Sequence, residues 1–192
     1  MKCIQNKNFS HNIVLDNKYK SLIFKKCLIK QSKIEGKIFE DCNFVNIDFG
    51  GSDIINCKFK NCNFSNCEFF HVLFLKCYFE NVNGSNFDFR SGVIEKTNFK
   101  KCNFFSSCFR GSAISENNYS NSILNNCDIK NIVFNKNIYE NTVFKFSNLF
   151  KSKFLNENLF GLDIQDCNTF LCVFKNSDVA KNLSLDKYTF VE

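Results

Sequence analysis

An all-β solenoid that bends at every fifth residue is the fold this sequence predicts, and three observations predict it. Every fifth residue from Phe24 is large and apolar, the residue two before it is small, and the residue two after it favours Asn or Gly. Of the 32 positions of the first column between 24 and 179, 30 are large and apolar, against 44% hydrophobic residues in the whole chain. Gly84 and Thr169 are the exceptions. A helix repeats at 3.6 residues and a flat strand at 2, so neither explains a period of five. The composition carries the same bias, with 26 Phe, 12 Cys, no Pro and no Trp. Disordered low-complexity chains are poor in aromatics, so the bias indicates a repeat.

The elements follow in order. Residues 1–21 keep the phase through Ile4, Phe9, Val14 and Tyr19 but set Lys2, Lys7, Asn12 and Asn17 where small residues belong, which predicts a degenerate N-terminal cap. Residues 22–181 form the predicted solenoid, its core including Phe44, Phe49, Phe59, Phe64, Phe69, Phe74, Phe79, Phe99, Phe104 and Phe109. Burying each of these contributes about 1.5–3 kcal/mol. The phase never slips, so any insertion is a multiple of five. Ten of the twelve Cys fall in the small column, among them Cys27, Cys42, Cys57, Cys62 and Cys67. The Asn and Gly positions, such as Gly51, Asn61, Asn66 and Gly111, tolerate turn geometry at small steric cost. Gly84 replaces a large inward residue while Phe87 is oversized for its column, so a local distortion is expected there. Residues 182–192 lose the pattern and are expected to close the other end as a cap or tail.

Cys42-Asn43-Phe44-Val45-Asn46 and Cys62-Asn63-Phe64-Ser65-Asn66 resemble units of the pentapeptide-repeat family, whose motif is small, polar, Leu or Phe, any residue, then Gly or Asn. The resemblance covers residues 22–181. It implies four units per square coil and a right-handed quadrilateral β-helix of about eight coils. At the strand spacing of ~4.8 Å that is a rod roughly 40 Å long.

In such a coil, residues twenty apart share a stacked column. The face built on Ile34, Ile54, Phe74, Ile94, Ile114, Phe134, Phe154 and Phe174 carries outward Ile55, Leu73, Leu75, Val93, Ala113, Val133, Leu155 and Val173. An apolar strip of that size on a soluble protein usually marks a contact surface, with Leu73, Val93 and Val133 its candidate partner residues; the preference of β-structure for branched residues is the competing explanation. The next face sets Asp48, Glu68, Asp88 and Asp128 in one outward column and Arg90, Arg110 and Lys130 in the parallel one. Cross-ladder pairing of exposed charges explains this arrangement; an acidic ladder imitating DNA phosphates is the competing explanation.

No catalytic apparatus is visible, and no cofactor, metal or small-molecule substrate is expected. His11 lies in the cap and His71 at a corner, neither with a nucleophile and an orienting group in reach. Phosphate-loop and dinucleotide motifs are absent, as is Cys-x-x-Cys, and the thiols read as reduced packing residues. The net charge of +6 is uneven: residues 1–37 carry nine Lys against Asp16 and Glu35, and the remainder is close to neutral. A solvated cap accounts for those lysines better than direct nucleic-acid binding. No signal segment is expected, and the greasiest stretch, Phe69 to Leu75, is too short to span a bilayer. A cytoplasmic protein that does not enter membranes is the expectation.

The resemblance also implies function. Its best understood members are Qnr-like quinolone-resistance and microcin-immunity proteins, which dimerise and act on DNA gyrase or topoisomerase IV, in part as duplex DNA mimics. Leu183-Ser184-Leu185-Asp186-Lys187-Tyr188 resembles the Leu-Asp-x-Tyr end of Qnr repeats. The projecting loops, a C-terminal dimerisation helix and an acidic body have no counterpart here. The resemblance therefore implies a non-enzymatic protein with a protein partner, either a type II topoisomerase or, for an interaction scaffold, another protein, and a homodimer.

Overall fold

The computed structural model describes residues 1–11, 17–178 and 185–191. The expectations placed on Asn12, Val14, Asp16, Val179, Leu183 and Ser184 lie outside the described residues. Every strand pairing is parallel, and partners stand about twenty residues apart, as in Phe24↔Phe44, Phe44↔Phe64 and Phe59↔Phe79. That offset is one turn of a four-sided coil.

The first side is a nine-stranded sheet running from Lys2–Gln5 to Leu162–Gln165. The second side is held by single bridges, from Asn8↔Leu28 through Asp48↔Glu68 to Asn148↔Asn168. The third runs from Lys33–Glu35 to Val173–Lys175, and the fourth from Lys18–Lys20 to Ile138–Glu140. The quadrilateral β-helix is thus present, with about nine coils rather than eight. The additional coil is the segment expected to cap: Lys2–Gln5 pairs in register with Leu22–Lys25, and Lys18–Lys20 with Ile38–Glu40. Lys2 and Lys7 do not prevent this because the end coil has a neighbour on one side only and leaves them exposed. The ladder crosses position 21/22 without a break. At the other end Phe190–Val191 adds a short strand beside Val173–Lys175. There the Thr169 hydroxyl accepts from the Asp186 N–H at 2.7 Å, so the one polar residue in the large column is the anchor of the tail.

The large column forms the core, and Phe44, Phe49, Phe59, Phe64, Phe69, Phe74, Phe79, Phe99, Phe104 and Phe109 are all buried. Rings stack along the axis: Phe39 on Phe59 at 5.0 Å, Phe59 on Phe79 at 4.9 Å, and Phe79 on Phe99 at 5.0 Å. Across a corner they meet edge to face, as Phe39 does Phe44 at 5.5 Å. Offset and edge-on geometries are the favourable ones for aromatic quadrupoles.

The small column has a chemistry beyond packing. The Ser52 hydroxyl donates to the Ile29 carbonyl at 2.6 Å and accepts from the Ser32 N–H at 3.1 Å, tying its coil at two points to the coil before it. The thiols take the same place: Cys62 donates to the Phe39 and Lys60 carbonyls, each at 3.4 Å. A side chain of this length with one donor satisfies buried carbonyls that the strands leave over.

The corner residue after each strand has a positive φ, from Asn46 at 53° to Asn126 at 54° and Gly111 at 70°. Asn and Gly visit this left-handed region most readily, which explains their column. Gly84 does not distort the coil. Asn83–Ser85 stays in register with Asn63–Ser65 and Asn103–Phe105. The Phe87 ring fills the space instead, 4.2 Å from Phe69, and a Cβ on Gly84 would meet Phe104 at 2.8 Å. Glycine and phenylalanine have exchanged columns, and the volume is conserved.

Candidate interaction surface

The outward residues of the third side alternate with the buried column because successive side chains of a strand point to opposite faces. Leu73↔Val93↔Ala113↔Val133 is one unbroken outward column. It ends at Asp53 on one side and Lys153 on the other. Val93 is 38% and Val133 41% exposed, and Leu73 is half-buried. Ile55 and Leu75 lie beside the column, in register with each other. Leu155 and Val173 are cut off from it by Asn135 and Lys153. The strip expected along the whole face is therefore a patch over its central coils.

On the second side, Asp48, Glu68 and Asp88 stack directly; Cys108 then intervenes before Asp128. Three of the four carboxylates are neutralised. Asp48 accepts from Lys30 Nζ at 2.6 Å and from the Gly50 N–H at 2.9 Å. Asp88 holds Arg90 in a two-point pair, with Nε at 2.8 Å and Nη2 at 2.6 Å. Asp128 meets Arg110 at 3.1 Å and Lys130 at 3.5 Å. Hydrogen bonding to these partners holds Lys30 and Arg90 above their usual pKa ranges. Glu68 makes no ion pair among the described residues. An open groove of about 740 Å³ runs along this side, lined by Lys30, Asp48, Gly50, Glu68, His71 and Arg90 among others. His71 is occupied there, its Nδ1 lying 3.2 Å from the Ser91 carbonyl oxygen.

Cys57, Cys62 and Cys67 are buried, and no group of three metal-ligating side chains occurs among the described residues. No helix among them is long and apolar enough to cross a membrane. One ionisable group escaped the sequence reading. Glu157 occupies the small column and is 2% exposed, its carboxylate accepting from Asn137 N–H at 3.0 Å and Nδ2 at 2.9 Å. Asn137 and Asn117 continue the ladder, Asn117 donating to the Asn137 side chain at 3.1 Å. Burial pushes the Glu157 carboxyl up to about 7, and the Asn137 donors oppose that. The signal was available, since 97, 117, 137 and 157 read Thr, Asn, Asn, Glu at inward positions. Exposed Phe105, Ile138, Phe146 and Phe160 also lie outside the strip singled out. So does the outward stack of Phe150 on Phe170, with Tyr188 edge-on to Phe170 at 5.1 Å.

The pentapeptide-repeats family model matches in eight copies, with residues 39–69 matched. The chain is built of pentapeptide repeats. Among solved structures this pentapeptide-repeat solenoid is similar to QnrB1, a plasmid-mediated fluoroquinolone resistance protein, at 18% identity and a TM-score of 0.41, over 91% of this chain and 93% of that one. It is similar to HetL, a pentapeptide repeat protein involved in heterocyst differentiation regulation from the cyanobacterium Nostoc sp. strain PCC 7120, at 6% identity and a TM-score of 0.40. That match covers 90% of this chain and 88% of HetL. No curated protein matches the sequence. At these identities and scores the likenesses concern the coil and not a partner.

Proposed function

We propose that this pentapeptide-repeat chain is a non-enzymatic interaction scaffold that presents its third side to a protein partner. The observation that supports the reading is the in-register column Leu73, Val93, Ala113 and Val133, exposed at the middle of the rod. Burying such a patch against a partner contributes in proportion to the apolar area removed from water. Leu73→Lys, Val93→Lys and Val133→Lys combined should abolish association while far-ultraviolet circular dichroism stays unchanged. Association that survives the triple substitution overturns the reading. A cytoplasmic setting, which keeps the thiols reduced, and a homodimer formed away from the third side are proposed with it; cell fractionation and sedimentation test them.

A second reading, binding to a type II topoisomerase as a DNA mimic, is favoured by the stacked carboxylates Asp48, Glu68 and Asp88. Their pairing with Lys30 and Arg90 weighs against it, because a phosphate mimic needs unpaired negative charge. Gyrase supercoiling measured with and without a quinolone separates the two. No effect of the protein at micromolar concentration rejects the topoisomerase reading and leaves the scaffold.

A further inference from the structure

We propose that the third side docks an amphipathic α-helix whose apolar stripe is bordered by carboxylates, an inference that rests on reading this side as the partner surface. The patch recognises side chains and not backbone. Its own N–H and C=O groups are already engaged in the ladder between coils, as in Leu73 N–H to the Ser52 carbonyl at 3.0 Å and Val93 N–H to the Val72 carbonyl at 2.9 Å. A partner strand therefore has no edge to extend on this side. The column rises ~4.8 Å per step, so Leu73 to Val133 spans about 14 Å. A helix rises ~5.4 Å per turn, so an apolar stripe of about three turns laid along the rod axis follows the column. Ala113, between Val93 and Val133, leaves a shallow notch for one larger side chain.

The margins set the charge of the occupant. The corner beyond the patch carries Lys76, Lys96, Glu116 and Lys136, each twenty residues from the next. Lys96 is held by Glu95 at 2.7 Å and lies 3.9 Å from Glu116. Lys76 and Lys136 have no carboxylate partner among the described residues. Each follows an apolar patch residue, Leu73 or Val133, by three positions. Across the opposite corner stand Arg90, Arg110 and Lys130. Two unpaired ammonium groups at the ends of one margin complement carboxylates on the occupant. A second copy of this chain, face to face, would set these lysines against their own kind. Nucleic acid would satisfy the lysines but leave Val93 and Val133 facing phosphates.

The test uses the full chain and a fluorescein-labelled synthetic peptide of roughly 18 residues, about 27 Å as a helix, with Leu at i, i+3, i+4 and i+7 and Glu bordering them. Anisotropy should show micromolar binding that weakens as salt rises. Val93→Ser with Val133→Ser, and separately Lys76→Glu with Lys136→Glu, should each raise Kd by about tenfold or more with melting unchanged. A scrambled peptide of equal composition, or the same stripe bordered by Lys, should bind at least about tenfold more weakly. Equal binding of the scrambled peptide, indifference to the Ser substitutions, or displacement by duplex DNA alone overturns the proposal. A peptide that fails to bind, while the lysine-substituted patch still loses its cellular partner, removes the helix and leaves the scaffold. If the substituted patch also keeps that partner, both readings fall.

Discussion

Glu157 gives the fold a pH-dependent stability. Its carboxyl is buried among Asn137, Ser177 and the core tyrosines, and burial raises its pKa to about 7. A group raised in the folded state contributes stability that is fully present below its unfolded pKa and is lost as pH rises through the folded value. Thermal stability should therefore fall between about pH 5 and pH 8, by up to roughly 3 kcal/mol at 1.36 kcal/mol per pKa unit. Glu157→Gln keeps the length and removes the charge but loses one of the two acceptors that face Asn137, so its melting temperature should be lower than the parent's at pH 5 and vary less over this range. A parent that melts at the same temperature at pH 5 and pH 8 contradicts the burial. The thiols offer a second measurement at the same scale. Burial pushes Cys57 up to about 11 and Cys67 to about 12, and the hydrogen bond with Cys42 together with burial pushes Cys62 higher still. Native alkylation at pH 8 should label exposed Cys3 within minutes and leave these three unmodified for hours, because the thiolate is the nucleophile. Rapid labelling of all three would show that the coils open.

At the scale of the coil, corners and columns separate two kinds of constraint. Phe146 sits at a corner with φ of 53° and is 61% exposed, so its ring contributes little and its backbone is in a region that costs L residues about 1–2 kcal/mol. Phe146→Asn should raise the melting temperature by a few degrees, since Asn, which holds many of the other positive-φ corners, tolerates this conformation better. Phe87 is the opposite case. It is buried in a column meant for small residues, over the space that Gly84 leaves. Phe87→Ala opens a cavity between Phe69 and Phe104 and should cost about 3–5 kcal/mol in chemical denaturation. Phe74→Asp buries an unpaired carboxylate and should prevent folding altogether, whereas Lys76→Asp at the adjacent corner should leave melting nearly unchanged. The columns themselves were legible in the sequence because a side chain's place in a coil depends only on its position modulo five. The Gly84–Phe87 exchange was not, because it depends on which rings of the coils above and below reach into the gap.

For the whole molecule, the acidic column is the feature that separates the two functional readings. Converting Asp48, Glu68, Asp88 and Asp128 to Asn breaks the pairs to Lys30, Arg90, Arg110 and Lys130, all at the surface. Exposed pairs contribute little, so the quadruple variant should fold and melt within a few degrees of the parent. If the parent alters gyrase supercoiling and this variant does not, charge mimicry is the cause. If both act alike, the carboxylates are structural.

The sequence by itself determined the period, the inward and outward columns and the positions of the bends, since each follows from a five-residue beat that never slips between Phe24 and Phe174. It also placed Leu73, Val93 and Val133 in one line. Tertiary structure decided the rest. It made residues 2–5 and 18–20 a paired coil, because an end coil needs one apolar neighbour and not two. It neutralised Asp48, Asp88 and Asp128, because side-chain rotamers choose between partners in the same coil, as Asp88 does with Arg90, and in the coil before, as Asp48 does with Lys30 and Asp128 with Arg110. It confined the apolar strip to the central coils, where Asp53 and Lys153 end it. A repeat period specifies where each residue stands; the contacts between coils specify what each residue does there.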